Sequence, residues 1–271
     1  MPELPEVETT LRGIEPHILN RKIKRIVVRQ PSLRWPVPNK ELQKKLKEKS
    51  FSKIQRRAKY LILESYLGNL IIHLGMSGSL KFFPEKKIPG KHDHIDINFE
   101  GNRFLRFTDP RRFGSFHWVD KDRIHPLLSN LGPEPLGNSF SGTYLFKNSR
   151  GKKIAIKNFL MNSKIVAGIG NIYSSESLFR AGIRPQKSAG SISLKKYEDL
   201  AFSIKEVLMQ AIESGGTTLK DFVGGDNKPG FFKQNLFVYG RSGKRCKKCL
   251  TLLKNLKITQ RSSFYCPKCQ R

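Results

Sequence analysis

Residues 246–269 read CKKCLTLLKNLKITQRSSFYCPKC and contain every cysteine of the 271-residue chain, in the order Cys246-x2-Cys249-x16-Cys266-x2-Cys269. Four thiolates at this spacing can surround one zinc ion tetrahedrally. The energy of metal binding then serves as folding energy for a tail that is too short to bury a core of its own. The spacing therefore predicts one structural Zn²⁺ in a C-terminal ribbon, with two disulfides as the alternative.

The tail is strongly basic, and so is the rest of the chain. The 51 Lys and Arg residues exceed the 22 Asp and Glu residues, which gives a formal net charge of +29. Such an excess predicts a polyanionic partner. Nucleic acid is favoured over a membrane surface because the basic residues are scattered along the whole chain rather than along one amphipathic helix. We expect the ribbon to contact nucleic acid directly; a ribbon that serves only as a structural plug is the alternative.

The sequence contains no pattern typical of a membrane-spanning segment or of an export signal. No apolar run is long enough to span a bilayer, and the N-terminus MPELPE lacks the basic and apolar pattern of a signal peptide. We therefore expect no membrane partner and a cytoplasmic location, associated with the nucleoid when DNA is bound. Thiols stay reduced in that compartment and can bind metal.

The first half of the chain is predicted to be mainly β. Val7, Leu11, Ile14 and Ile18 recur at helical spacing, which predicts one helix that ends near Asn20. Alternating apolar runs then predict an antiparallel sandwich or barrel. The predicted strands cover residues 23–28, 53–66, 69–74, 79–83, 94–99, 103–107 and 113–119.

The second half changes to helical spacing. Pro133, Pro135 and Gly137 interrupt the β pattern, and residues 194–212 form the clearest helical repeat. Residues 215–230 are rich in Gly and polar residues and predict a turn of helix followed by a mobile loop. The chain is thus expected to be α+β, with domains at residues 1–132, 133–235 and 236–271.

The N-terminus offers a chemical group of its own. If Met1 is removed, Pro2 supplies a secondary amine, and an α-amino group has a pKa near 8, about two units below that of lysine. Such an amine can attack a sugar C1′ and form an iminium, as in Schiff-base catalysis. Glu3 and Glu6 could transfer the protons. The alternative is structural: Pro2 and Pro5 precede a helix whose dipole the acidic residues favour.

Several motifs resemble those of the bacterial formamidopyrimidine-DNA glycosylase family, base-excision enzymes for oxidised purines. They occur in family order over nearly the whole chain. The motifs are PELPEVET at 2–9, QRRAKYL at 55–61, HLGMSG at 73–78, DPRRFG at 109–114, GIGNIY at 168–173, VYGR at 238–241 and the cysteine array.

The resemblance implies a fold and an activity. It implies an N-terminal β-sandwich, a helix-two-turns-helix domain and a zinc finger, with double-stranded DNA containing oxidised bases in the cleft between the halves. The implied activity is that of a bifunctional glycosylase and AP lyase that removes 8-oxoguanine and formamidopyrimidines and then performs β,δ-elimination. By position, Pro2 would be the Schiff-base nucleophile and Glu3 the acid that protonates the opening sugar. Lys59 would assist β-elimination, and Arg261 would grip phosphate and favour δ-elimination.

Further residues match family positions that contact DNA. Extrusion of the target base leaves a hole in the duplex that the protein must fill. The resemblance assigns Met76 and Phe113 to replace the lost stacking and Arg111 to bond the orphaned partner base; taken singly, Met76 and Phe113 would more often be core residues. The implied phosphate contacts are His73, His92, Lys152, Lys157, Asn171 and Tyr239.

Lys59 has an alternative role as part of a solvated cationic strand face, since the sequence predicts a strand around it. Residues 217–222 and the loop through Lys228 resemble the family's lid over the flipped base. The chain departs from the family at Asn158, where Pro is frequent, and at Asn162, where Asp is frequent. We expect a monomer, because DNA bound in a cleft needs no second copy.

Two other function classes fit part of the pattern. A module that binds bent or damaged duplex without cutting it would explain the charge, the ribbon and the wedge residues. An RNA-associated or ribosome-associated ribbon protein is a weaker alternative. His17, His94, His117 and His125 receive no assigned task and are expected to be structural.

Overall fold

A computed structural model describes residues 1–217 and 232–271. The chain forms two compact units. The first comprises Met1–Ser129 with Ile212–Lys233, and the second comprises Asn130–Ala211 with Gln234–Arg271. The predicted lid lies in large part outside the described residues.

Helices and strands follow one another in a mixed order. The helices are α1 (Leu4–Ile18), α2 (Asn39–Leu46), α3 (Pro126–Ser129), α4 (Gly142–Ser149), α5 (Ile156–Met161), α6 (Asn171–Arg180) and α7 (Leu194–Glu213), with 3-10 turns at Ala189–Ser191 and Phe232–Asn235. The strands are β1 (Ile23–Val28), β2 (Lys53–Arg57), β3 (Tyr60–Ser65), β4 (Gly68–His73), β5 (Ser79–Phe83), β6 (Asp93–Phe99), β7 (Phe104–Thr108), β8 (Ser115–Asp120), β9 (Lys254–Ile258) and β10 (Arg261–Tyr265).

The first unit is built on two antiparallel sheets. Their strand orders are β1-β6-β7-β5 and β2-β3-β4-β8. Alternate side chains of both sheets meet in one buried core, which includes Ile97 and Phe107 from the first sheet and Leu63 and Ile72 from the second. Helix α1 contacts β5 of one sheet and β2 and β3 of the other, because its apolar stripe, with Val7 at the start, is buried in the same core. The predicted sandwich and the α+β class are confirmed.

The prediction of one strand over residues 53–66 is wrong. Arg57 pairs with Tyr60, so the chain reverses through a two-residue turn at Ala58 and Lys59. Ala58 adopts a φ of 53°. The sequence does not indicate this turn, because Gly and Asn are the usual residues at positive φ. Lys59 accordingly lies in a turn and not, as predicted, in a strand.

The second unit combines helices with a C-terminal hairpin. Helix α7 covers the predicted helical repeat. Tyr197 of α7 is fully buried, and the ring of Phe159 in α5 packs edge-on against it. Strands β9 and β10 pair in an antiparallel hairpin between the two cysteine pairs. Among the described residues, no helix is long and apolar enough to cross a membrane.

Candidate active site

The N-terminal residues are buried at the start of α1. Pro2 is buried, and Glu3, which is 2% exposed, is the N-cap residue of the helix. The Glu3 N–H donates to Oε2 of Glu6 at 2.8 Å, which satisfies an amide that a helix start leaves without an intrahelical partner. The capping geometry therefore fixes the backbone next to Pro2.

Glu6 has a second bond that reaches far along the sequence. Its Oε1 accepts the Thr217 N–H at 2.8 Å, and Gly216 packs against the same side chain at a φ of 80°. Both carboxylate oxygens are thus engaged inside the first unit. Glu6 ties the start of α1 to the residue that immediately precedes the undescribed segment.

Lys59 is held close to α1 through Arg56. Nη1 of Arg56 donates to the Ala58 carbonyl at 3.0 Å, and Nε donates to Oε2 of Glu8 at 3.0 Å. The Arg56 side chain is only 10% exposed, so this charge-assisted bond is screened little by solvent. One guanidinium therefore connects the turn that carries Lys59 to the helix that begins next to Pro2.

His73 lies beside this turn and is neutral. It pairs with Tyr60 across β3 and β4, with ring centroids 4.8 Å apart. Burial, and then the positive charge of Lys59, lower the pKa of His73 to about 4. Nδ1 accepts the Gly75 N–H at 3.0 Å, so the ring proton belongs on Nε2. A phosphate would meet a neutral N–H donor at this residue.

The three predicted wedge residues are exposed. Met76 is 42% and Phe113 41% exposed, although large apolar side chains are normally buried, so neither is a core residue. The Arg111 guanidinium lies over the Phe113 ring at 4.9 Å. The first unit thus presents two apolar side chains and one cation on neighbouring loops.

Asp109 organises both wedge loops and was not predicted from the sequence. It is fully buried, and its Oδ1 accepts the Ser77 hydroxyl at 2.7 Å and the Arg111 N–H at 3.3 Å. Its Oδ2 accepts the Gly114 N–H at 2.8 Å. The Asp109 N–H in turn donates to the carbonyl of half-buried His92 at 3.0 Å. A carboxylate directly before Pro in DPRRFG was the available signal for such a loop-capping role.

The wedge loops also approach each other backbone to backbone. Gly75 has a φ of 68°, and a Cβ on it would lie 2.4 Å from the Gly114 nitrogen. A Cβ on Gly114 would lie 2.4 Å from the Phe107 ring. Since contacts below 3.0 Å are not tolerated, neither position accepts a side chain without movement of its neighbours.

In the second unit, Asn171 is the first residue of α6, directly after Gly170. Helix N-termini present N–H groups and the positive end of the helix dipole, which suits an anion. Asn171 Nδ2 donates to the Tyr239 hydroxyl at 3.4 Å, and the Tyr239 ring packs edge-on against Phe264. These two predicted phosphate contacts therefore lie together, while Lys152 is exposed on a separate turn.

Glu176 fixes the segment that presents Tyr239, a role that was not predicted from the sequence. This carboxylate is 1% exposed and accepts the N–H groups of Phe237, Val238 and Tyr239 at 2.8, 3.0 and 2.8 Å. Burial raises the pKa of Glu176, and the three backbone bonds act in the opposite direction. The only signal in the sequence was a single Glu among the Ser and apolar residues of IYSSESLF.

Lys157 and Arg261 differ in their surroundings. Lys157 is 1% exposed, and its Nζ donates to the Ser262 carbonyl at 2.9 Å and to Ser263 Oγ at 2.8 Å, so its ammonium faces the hairpin. Arg261 is exposed at the first position of β10.

Asn162 is one of the two positions at which the sequence departs from the family pattern. Its side-chain oxygen accepts the Lys164 N–H at 3.0 Å.

The four cysteines form one cluster that suits a metal ion. Their sulfurs all lie within 4.8 Å of one another, with Cys246 to Cys269 at 3.9 Å and Cys249 to Cys266 at 3.4 Å. Zinc–sulfur bonds of about 2.3 Å in a tetrahedron place sulfurs about 3.8 Å apart, which is close to both distances. All four are free thiols, so the disulfide alternative does not apply.

Backbone N–H groups also contact the sulfurs of this cluster. The N–H groups of Lys248 and Cys269 donate to the sulfurs of Cys246 and Cys266, each at 3.4 Å. Burial, and then the neighbouring sulfurs, raise the pKa of the Cys269 thiol, so a divalent cation is the natural counter-charge for its deprotonation. The residues are therefore positioned to bind one metal ion.

Comparison with known proteins agrees with this geometry. A family model described as the formamidopyrimidine-DNA glycosylase N-terminal domain matches residues 1–116, and one described as the formamidopyrimidine-DNA glycosylase H2TH domain matches residues 131–223. The formamidopyrimidine-DNA glycosylase of Magnetococcus marinus is 53% identical over 274 residues, with 100% of both chains covered.

Solved structures of DNA complexes are also similar. The Lactococcus lactis Fpg bound to DNA containing an abasic site has a TM-score of 0.92 at 33% identity, with 99% of each chain covered. MutM in complex with DNA containing carbocyclic 8-oxo-G has a TM-score of 0.92 at 34% identity, with 100% of each chain covered. Since two family models match in order and a relative is 53% identical over its full length, the chain belongs to the formamidopyrimidine-DNA glycosylase family.

Proposed function

We propose that the protein is a bifunctional DNA glycosylase and AP lyase of base-excision repair that removes 8-oxoguanine and formamidopyrimidines from double-stranded DNA. Family membership supports the glycosylase activity. The observation that carries the chemical proposal is the buried Pro2-Glu3 start of α1, to which Arg56 and Glu8 connect the turn that bears Lys59.

The first step is displacement of the base. After removal of Met1, the Pro2 nitrogen attacks C1′, and the bond between C1′ and the base breaks with its electrons moving to the base. The nitrogen loses its proton in this step, and a proton neutralises the departing base. Glu3 protonates the sugar ring oxygen as the ring opens, which leaves an iminium between Pro2 and C1′. The bonds around Glu3 and Glu6 preorganise this segment, so little rearrangement is needed when the substrate binds.

The second stage is cleavage of the strand. Loss of a proton from C2′ of the iminium expels the 3′ phosphate in β-elimination, and loss of a further proton expels the 5′ phosphate in δ-elimination. We assign Lys59 to assist the first elimination and exposed Arg261 to grip phosphate and favour the second. Hydrolysis of the iminium then restores the Pro2 amine.

Duplex recognition requires that the target base leave the stack. In this proposal Met76 and Phe113 fill the vacated space and Arg111 bonds the orphaned partner base. Their joint exposure on loops organised by Asp109 supports this role. His73, His92, Lys152, Lys157, Asn171 and Tyr239 are proposed to contact phosphate.

The metal is proposed to be one structural Zn²⁺ held by Cys246, Cys249, Cys266 and Cys269, because four thiolates in a tetrahedron are the ligand set that zinc prefers. It would stabilise the hairpin that carries Arg261. The protein is proposed to act as a monomer in the cytoplasm on nucleoid DNA.

Covalent trapping tests the chemistry directly. Incubation with an 8-oxoguanine duplex and borohydride should reduce the iminium and leave DNA attached to Pro2, which peptide mass spectrometry would locate. Pro2→Gly or a retained Met1 should greatly reduce base release while duplex binding stays largely intact. A functional preparation whose N-terminal nitrogen is blocked, or one that yields no adduct at Pro2, would refute the assignment.

A further inference from the structure

The tip of the β9–β10 hairpin has an unfavourable backbone. Ile258 pairs with Arg261, so Thr259 and Gln260 alone form the turn. Both have positive φ, at 44° and 61°. Two-residue hairpin turns of this kind favour Asn and Gly, because a β-branched side chain is strained at positive φ. Thr259 therefore keeps this conformation only if its surroundings stabilise it.

Asn158 of α5 provides that stabilisation. Its Nδ2 donates to Oγ1 of Thr259 at 2.6 Å. The preceding residue, Lys157, donates to the Ser262 carbonyl and to Ser263 Oγ on β10. Two consecutive side chains of α5 thus bind the hairpin on either side of Arg261.

We infer that Asn158 is a positioning residue for Arg261. By holding Thr259 in the left-handed conformation, it sets the direction in which the exposed Arg261 side chain leaves the hairpin. This inference rests on the proposed role of Arg261 in δ-elimination. Base release depends instead on Pro2 and Glu3 of the first unit, so the two steps are expected to respond differently.

The pair is accessible to mutation. Asn158 is half-buried and Thr259 is exposed, whereas Lys157 is buried, so changes to the pair leave the core of the second unit intact. Thr259→Val removes the hydroxyl and keeps the shape. Thr259→Ser keeps the hydroxyl and is the conservative rescue.

The experiment follows base release, β-elimination and δ-elimination separately in single turnovers on a labelled 8-oxoguanine duplex. Asn158→Ala and Thr259→Val should each slow δ-elimination by about threefold to tenfold, the range that one net hydrogen bond contributes. Base release and β-elimination should change by less than about twofold. The double variant should be no slower than the slower single variant, because both changes remove the same bond. Thr259→Ser should match the unaltered protein.

Two further variants sharpen the test. In the Asn158→Ala background, Thr259→Asn should recover δ-elimination, because Asn tolerates positive φ. Asn162→Ala is the matched control, since that asparagine lies at the end of the same helix and bonds Lys164 instead of the hairpin. It should leave the product ratio unchanged.

Arg261→Ala separates the inference from the proposed function. If Arg261→Ala slows δ-elimination and Asn158→Ala does not, the positioning role is overturned and the role of Arg261 stands. If Arg261→Ala leaves δ-elimination unchanged, the role of Arg261 fails and the inference fails with it. Equal losses of base release and δ-elimination in Asn158→Ala, or loss of its bound zinc, would indicate general unfolding of the hairpin and would also overturn the inference.

Discussion

At the scale of single residues, His73 illustrates how burial sets the chemistry of a side chain. Its pKa in the folded protein is lowered to about 4, against about 6.5 for an unfolded histidine. Between these values the unfolded chain binds a proton that the folded ring does not. The free energy of unfolding should therefore decrease as pH falls through this window and should be unaffected by His73 above it.

Proton titration by NMR should give a His73 midpoint near pH 4, and His73→Gln should remove part of the acid-dependent loss of stability. His117→Gln should likewise remove part of the acid-dependent loss of stability, because burial lowers the pKa of His117 to about 4 as well. It should leave the His73 midpoint near pH 4, which shows that the two titrations are separate. DNA affinity should show no His73 titration at neutral pH. A His73 midpoint near 6.5 would contradict the assignment of a neutral donor.

Asp109 gives a second prediction at this scale. The carboxylate of Asp109 now accepts hydrogen bonds from the Ser77 hydroxyl and from the Gly114 N–H. In Asp109→Asn, the amide NH₂ group would face one of these donors and neither could bond the other. A buried donor left without an acceptor costs about 1–3 kcal/mol. Urea unfolding should show this loss, and base release should slow because the loop of Arg111 and Phe113 loosens. Ser77→Ala, which removes one donor only, should have a smaller effect; equal effects would weaken the account.

Sequence alone identified the side chains that carry local motifs. It placed Pro2 and Glu3 at a helix start and grouped the four cysteines, because short spacings encode both features. It missed Asp109 and Glu176, whose partners are 32 and up to 63 residues distant in the chain. Contacts at such separations depend on tertiary structure; the local pattern DPRRFG indicates the short-range bonds of Asp109 but not its bond to Ser77.

At the scale of elements, the hairpin depends on its metal ligands. Cys249→Ser should abolish zinc binding, unfold the β9–β10 hairpin and reduce DNA affinity, since the binding energy of the metal stabilises the fold. Metal content by atomic absorption and binding to a lesion duplex would measure both effects. Ser242→Ala, a change outside the four ligands, is the control. Unchanged DNA affinity after loss of zinc would show that the ribbon is only a structural plug.

The boundaries of two elements were predicted closely. Strand β1 was predicted at its observed bounds, and α7 nearly so. The reversal at Ala58 was missed because the turn contains neither Gly nor Asn. Helix α2 was missed because its sequence NKELQKKL buries only Leu42 and Leu46, which is too few apolar positions to define a period.

At the scale of the whole molecule, the net charge of +29 should dominate affinity for DNA. Three of the residues proposed to contact phosphate, Lys152, Lys157 and Arg261, are cationic, and three such contacts correspond to a slope of about −2.7 in log K against log salt. Lys152→Ala should reduce that slope by about 0.9 and should leave base release at saturating enzyme unchanged. Fluorescence anisotropy across a salt series would measure this, and a flat response would contradict the electrostatic account.

The close approach of Gly75 to Gly114 has a practical consequence for redesign. Because the two backbones approach each other without room for a methyl group, the segments bearing Met76 and Phe113 can be exchanged between homologues only if glycine is kept at positions 75 and 114. A chimera that places any other residue at either position would force the two loops apart. Recombination of these segments should therefore succeed only with donors that have both glycines.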